Sequence, residues 1–290
     1  MPVPVIDVKE VTLSFNSEHT RATPPELAGV NMQIYEGEIV SLVGPSGCGK
    51  STLLRLICGV LLPTKGRIKV YGKKAVPGWS GLGFVPQDAL LFPWRTVLAN
   101  VRLPLEIKAG GKKRLEELNE KAREALRLAN LEGVEEKYPH QLSGGQRQRI
   151  MIAQSLACDP KLLIADEPTT ALDVTVQAEI LKLMRQLRER VDAAIILITH
   201  DMGVVADMAD RIVVMKDGRV VEHGTSDEIF NRPQHPYTKA LLAAVPHLGT
   251  EADVRTPPAL KVSMVAHGDQ PVPLAPGDPG ATPTLLMENV

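Results

Sequence analysis

Aromatic side chains are scarce in this chain. Phe, Tyr and Trp together make up 3% of its 290 residues, too few for the platform of stacked rings that single-stranded nucleic acid asks for. An excess of one charge is lacking too. The formal net charge is -1, so there is no generally basic surface to meet a phosphate backbone. Only three cysteines occur, Cys48, Cys58 and Cys158, far apart and with no C-x-x-C pair. That spacing fits a reducing compartment and speaks against a zinc or iron–sulfur site. No apolar run approaches the roughly eighteen residues of a membrane span. The N-terminus opens on prolines, without the basic and then apolar segments of a secretory signal. Hydrophobic residues still make up 44% of the chain, enough to bury an ordinary core. The expectation is a soluble cytosolic protein of one large domain or two modest ones.

One stretch organises the rest. Gly44-Pro45-Ser46-Gly47-Cys48-Gly49-Lys50-Ser51-Thr52 fits the phosphate-loop template G-x-x-x-x-G-K-[ST] at every fixed position. Residues 38–43 before it read as a short buried strand and residues 52–57 after it as a helix, the context that the motif needs. Glycines let successive backbone N–H groups curl around an anion, and the helix N-terminus adds unpaired donors and a favourable dipole. In such a loop Lys50 bridges the outer phosphates and the Ser51 hydroxyl ligates Mg²⁺. The motif names a nucleotide but not a task.

Weak alternation over residues 5–16 and 27–36 reads as two strands of a small antiparallel sheet, with a turn at Thr23-Pro24-Pro25 between them. Phe15 suits either adenine stacking or an ordinary core or edge position. Residues 66–71 and 83–87 read as further strands, the second ending at Gln87. The apolar run Leu90-Leu91-Phe92-Pro93-Trp94 suits a docking surface or simple core packing. Residues 112–130 carry apolar side chains at three- and four-residue spacing and predict a helix. Another follows Leu142-Ser143-Gly144-Gly145-Gln146, whose hydroxyl and N–H groups at a helix start offer a second anion site. Lys161–Ala165 is nearly all apolar and leads into Asp166 and Glu167, which reads as a central parallel strand delivering carboxylates at its C-terminal end. A helix over about 175–190 follows, then a buried strand over 193–199 ending at His200, then a hairpin turning at Asp217-Gly218. From Pro246 the chain is rich in Pro, Gly and Ala without periodicity, and reads as a linker or loosely ordered tail.

In this order the elements resemble the nucleotide-binding subunit of an ATP-binding-cassette (ABC) transporter. The Leu142–Gln146 peptide discriminates, because other phosphate-loop enzymes lack it. The resemblance implies an α/β fold: a P-loop NTPase (RecA-like) core with a small antiparallel β subdomain and an inserted α-helical subdomain. It places the core in 1–86 and 159–230, the helical subdomain in 87–158, and a C-terminal extension in 231–290. By the same resemblance Phe15 stacks on adenine and the loop from Gly44 to Thr52 holds the phosphates of ATP. Ser51, Gln87 and Asp166 hold Mg²⁺. Glu167 is the general base, with Gln87, Lys50 and His200 completing the catalytic set. Ser143, Gly144, Gly145 and Gln146 face the γ-phosphate held by an opposite subunit, and Ala171-Leu172-Asp173 forms the loop that crosses to it. Two half-sites on one chain imply a head-to-tail dimer, identical or mixed.

The resemblance also implies partners. These are transmembrane permease subunits, a second ATP-binding subunit and, indirectly, an extracytoplasmic substrate-binding protein, with no nucleic acid. The chain then sits peripherally on the cytoplasmic face of the inner membrane. Residues 82–107 look like nitrate, sulfonate and taurine importers. Residues 159–246, with Thr169–Gln177 and the distinctive His235-Pro236-Tyr237-Thr238, look like oligopeptide, dipeptide and nickel importers. Peptide import is the leading expectation. The nitrate, sulfonate or taurine branch, or a cassette ATPase acting on nucleic acid or ribosomes, is the alternative. Many peptide-type subunits carry a cysteine cluster after the His-Pro-Tyr-Thr tail; this chain has no cysteine beyond Cys158.

Overall fold

The structure is a computed structural model that describes residues 3–15, 24–79, 81–111, 113–170, 172–190 and 193–244. All belong to the first of two units, Met1–Pro246 and His247–Val290. Ala171 and the stretch read as a tail from Pro246 lie outside the described residues.

Apolar runs buried on both faces build the main sheet. β3 (Ile39–Val43), β7 (Leu162–Asp166) and β8 (Ala194–Ile198) are buried along almost their whole length, as strands covered on both sides must be. With β6 (Leu82–Val85), β9 (Arg211–Lys216) and β10 (Arg219–Thr225) they form a six-stranded sheet in the order β10-β9-β3-β8-β7-β6. All neighbours run parallel except the β9–β10 hairpin. Side chains alternate between the two faces. Val40, Leu42, Leu162, Ile164 and Ile196 join one core with α1 (Lys50–Ile57). That core includes the inner face of a second, antiparallel sheet, ordered β2-β1-β4-β5. Its strands are β1 (Ile6–Leu13), β2 (Leu27–Ile34), β4 (Lys65–Val70) and β5 (Lys73–Lys74). Leu163, Ala165, Ile195 and Leu197 face the other way, into a core shared with α5 (Val174–Arg190).

The same second core continues into three helices, α2 (Val97–Ala109), α3 (Leu115–Leu128) and α4 (Gly144–Leu156). Leu98, Val101, Leu118, Leu126 and Ile150 are buried between them. Helix α2 was not legible as a helix, because Pro104 sits inside it and reads as a breaker. Its start is nonetheless marked by Thr96, whose side chain accepts the Ala99 N–H. Asn100, 1% exposed, ties the preceding turn to the helix. Its carbonyl accepts the Phe92 N–H at 2.8 Å and its amide donates to the carbonyls of Phe92, Arg95 and Thr96. The remaining helices, α6 (Met202–Met208), α7 (Ser226–Asn231) and α8 (Pro236–Ala243), close a third cluster over β9 and the end of β3.

Glu106 on α2 carries the ionic part of this packing. It pairs with Arg102 at 2.6 Å and Arg95 at 3.1 Å. Burial raises its carboxyl, but hydrogen bonds and charge from Arg102 and Arg95 outweigh that and hold it below the ordinary 4.5. A lowered folded value means that the stabilisation is complete above the unfolded value and drains away as pH falls through the folded one. Glu106→Gln is therefore expected to lower the urea midpoint at pH 7. Its deficit against the parent should narrow as the titration is repeated below about pH 4.

Candidate functional site: the C-terminal edge of the parallel sheet

Strand order places the chemistry. β3, β8, β7 and β6 are consecutive neighbours running the same way, so their C-terminal ends lie side by side, where open α/β sheets bind ligands. Each end leads into one of the residues singled out by sequence: Gly44 after β3, His200 after β8, Asp166 and Glu167 at β7, and Gln87 after β6.

The phosphate loop ends in α1, whose cap Gly49 has a left-handed φ of 101° and no side-chain cap, and whose first turn holds no acid. The N–H groups there are left for an anion. Gly49 is required twice over: by that φ, and because a Cβ would stand 2.7 Å from Leu27 Cδ2 and 3.0 Å from the Glu26 carbonyl. Lys50 Nζ rests on the loop itself, donating to the carbonyls of Gly44 at 2.8 Å and Pro45 at 3.0 Å.

Asp166 is a half-buried acid at the end of its strand. Burial pushes its carboxyl up, a hydrogen bond from Ser51 pulls it down, the Glu167 charge raises it and Lys50 opposes that, with a net rise. A carboxylate beside a hydroxyl, desolvated and facing a second carboxylate, is poised for a cation. Among the described residues no group of three His, Cys, Asp or Glu side chains could hold a metal alone. A hydroxyl and a carboxylate oxygen are the hard donors that Mg²⁺ takes, the rest of its ligands coming from phosphate and water. Ser51 and Asp166 thus fit the ion.

Glu167 is where the other candidates meet. Its Oε2 accepts from Gln87 Nε2 at 3.3 Å and from Thr170 Oγ1 at 2.9 Å. Its Oε1 lies 3.7 Å from His200 Nδ1. Its backbone sits at φ 49°, unusual for a residue with a side chain, and is held there by its N–H to the Ile198 carbonyl at 2.9 Å. His200 is 72% exposed at the side chain and so is open to solvent or to a ligand. Thr170 was not foreseen; nothing in spacing or composition marks it, and only the fold shows that its hydroxyl steers the Glu167 carboxylate.

Other candidates lie apart. Ser143 caps α4 in a reciprocal box, accepting the Gln146 N–H at 3.2 Å while Gln146 Oε1 accepts the Ser143 N–H at 3.1 Å. Asp173 accepts the Val176 N–H at 2.9 Å. Among the described residues no hydrogen bond or ion pair joins 143–146 to the phosphate loop. Phe15 is 60% exposed, so it is not a core residue; its N–H donates to Glu26 Oε2 at 3.2 Å. Leu90 and Trp94 are 68% and 71% exposed, while Leu91 between them packs against the core, so the run is exposed but anchored. The Phe92 and Trp94 rings meet in a tilted pair, with centroids 5.1 Å apart and planes at 51°.

Comparison with known proteins agrees with this geometry. A family profile described as ABC transporter matches residues 27–170. A relative, the dipeptide transport ATP-binding protein DppD of Bacillus subtilis (strain 168), is 40% identical over 287 residues, covering 88% of this chain and 84% of its own. This chain belongs to the ATP-binding subunits of ABC transporters. As an ABC cassette it binds and hydrolyses ATP. A second profile, the oligopeptide/dipeptide transporter C-terminal region, matches residues 221–268. The oligopeptide transport ATP-binding protein OppD of the same Bacillus strain is 39% identical, over 88% of this chain and 78% of its own. Among solved structures, the post-hydrolysis dimer of an ATP-binding cassette bound to ADP and Pi is 36% identical with a TM-score of 0.68, covering 76% of this chain and 98% of its own. A cassette from Clostridium perfringens, part of an ABC transporter complex, is 33% identical with a TM-score of 0.69, over 79% and 91%.

Gly49 gives a direct check. Gly49→Ala is expected to cost about 1–3 kcal/mol of stability and to remove the ATP-induced rise in melting temperature, both read in one thermal-shift series with and without ATP.

Proposed function

We propose that this ABC ATPase powers peptide uptake, and that its turnover is carried by Glu167 as general base. The convergence of Gln87, Thr170 and His200 on that one carboxylate, beside Asp166 and Ser51, carries the mechanism. Phosphoryl transfer asks for positioning and charge neutralisation more than for covalent help. Loop N–H groups and Lys50 hold the β- and γ-phosphates. Ser51, Asp166 and Gln87 would hold Mg²⁺, which would spread the phosphate charge. Glu167 takes a proton from water as the water oxygen bonds to the γ-phosphorus; the bond to the β–γ bridging oxygen breaks and ADP leaves with the electron pair. Thr170 and Gln87 orient that carboxylate. His200, exposed beside it, hydrogen-bonds the γ-phosphate. Phe15 stacks on the adenine.

Residues 143–146 and Asp173 serve a second cassette, identical or different, packed head-to-tail, so that ATP closes the pair and hydrolysis lets it part. The exposed Leu90–Trp94 turn, tied down by Asn100, docks on transmembrane permease subunits. Among the described residues no helix is long and apolar enough to cross a membrane, which suits a peripheral subunit on the cytoplasmic face of the inner membrane. An extracytoplasmic binding protein delivers the peptide, and nucleic acid has no part. The peptide reading is favoured by the C-terminal region match over 221–268 and by relatives named for peptide transport that span most of the chain.

Glu167→Gln is expected to lower ATP turnover by about a hundredfold or more while ATP binding persists and dimers accumulate on size exclusion. Turnover at the parent rate would remove Glu167 as the base. Labelled-peptide uptake by vesicles carrying the permease, compared with sulfonate uptake, tests the cargo class.

A further inference from the structure

The His235-Pro236-Tyr237-Thr238 segment has no part in the ATP chemistry above, yet it is built into the framework behind the phosphate loop. Glu222 on β10 accepts the N–H groups of Gln234 at 2.7 Å and His235 at 3.1 Å, fixing the entry to α8. His235 Nδ1 accepts the Tyr237 N–H at 3.1 Å and so caps the helix. Pro236 follows at the first helical position, where a missing N–H costs nothing. Docked in this way, Tyr237 and Leu241 pack against the cluster that contains Val43, the residue immediately before the loop. The Tyr237 ring lies under Lys216, with Nζ 5.2 Å from its centroid, within cation–π range.

Lys216 ends β9 and opens the turn to β10, and this turn holds the loop from behind. Gly218 N–H donates to the Cys48 carbonyl at 3.1 Å, and the Gly218 carbonyl accepts the Ala28 N–H at 2.9 Å. At the near end, Gly44 lies so close that a Cβ there would stand 2.2 Å from the Met215 carbonyl oxygen. A trans peptide is planar, with its C=O and N–H pointing opposite ways. Holding the Cys48 carbonyl toward the turn therefore directs the Gly49 N–H away from it. Burial, and the nearness of Cys48 and Asp217, hold the Tyr237 phenol above its ordinary range, in keeping with a ring seated close to the loop.

We propose that Tyr237 is a positioning residue for ATP binding: seated by Glu222, it steadies the Lys216–Gly218 turn, and that turn holds the phosphate loop open to its anion. The C-terminal segment thereby sets nucleotide affinity without touching nucleotide. This rests on the reading that residues 44–52 hold the phosphates.

The test uses the whole purified chain, with ATP affinity measured by equilibrium dialysis alongside steady-state ATPase. Tyr237→Leu keeps apolar bulk and removes the ring face; it is expected to weaken ATP binding and raise KM by about five- to tenfold, with kcat within about twofold. Tyr237→Phe keeps the face and is expected to restore affinity. Lys216 is exposed, so Lys216→Gln should fold normally and weaken binding in the same direction. The double variant should lose no more than the weaker-binding single one, as coupled partners do. The proposal is overturned if Tyr237→Leu binds ATP like the parent, if Phe falls as far as Leu, if kcat drops at unchanged KM, or if the two single losses simply add. Lys50→Ala separates the layers. Should it keep parental affinity, the phosphate-loop reading fails and the proposal with it; should it lose affinity while Tyr237→Leu does not, only the coupling fails.

Discussion

Parallel strand pairing at one sheet edge is the constraint on which this molecule's chemistry depends. Because β3, β8, β7 and β6 run the same way in adjacent positions, residues distant in the chain finish within reach of each other. Gln87 and Glu167 share a hydrogen bond across eighty positions of sequence. Parallel pairing also requires both faces to be covered. The antiparallel sheet with α1 covers one face, and α5 with the helical layer covers the other. The subdomains are in this sense the physical condition for the edge to exist.

That edge concentrates negative charge before any nucleotide arrives. Asp166 and Glu167 are successive residues, and the Asp166 carboxyl is raised by burial despite Ser51 and Lys50. The Glu167 charge adds to that rise. The site thus carries an electrostatic load that a bound cation would relieve, and it is held in place by packing elsewhere. The Glu167 backbone, at φ 49°, stores further strain against the Ile198 hydrogen bond.

Buried runs were the legible part of the sequence. Ile39–Val43, Leu162–Asp166 and Ala194–Ile198 announce themselves because a strand covered on both faces cannot alternate. The phosphate loop was legible because its backbone geometry restricts residue type, and the 142–146 peptide through the family resemblance that its residues carry. Helix α2 was hidden by Pro104, and α6 by its shortness, although Asp201 caps it by accepting the Gly203 and Val204 N–H groups. Thr170 and the Glu222 grip on Gln234 and His235 were illegible for another reason. They are long-range or side-chain contacts with no period, and a single sequence does not reveal which threonine hydroxyl will face a given carboxylate.

The two anion-ready helix starts differ in how they are finished, and the difference bears on how the cassette works. Helix α1 begins with no side-chain cap, which leaves first-turn donors for an anion to meet. Helix α4 begins with the reciprocal Ser143–Gln146 box, and its start is already stable without a ligand. A donor set that is unsatisfied in isolation gains most from binding, whereas a satisfied one gains by adding a contact to a partner already loaded. On the proposed roles of these residues, the phosphate loop is suited to take up ATP within its own chain, and the 143–146 peptide to add a contact to ATP held on another.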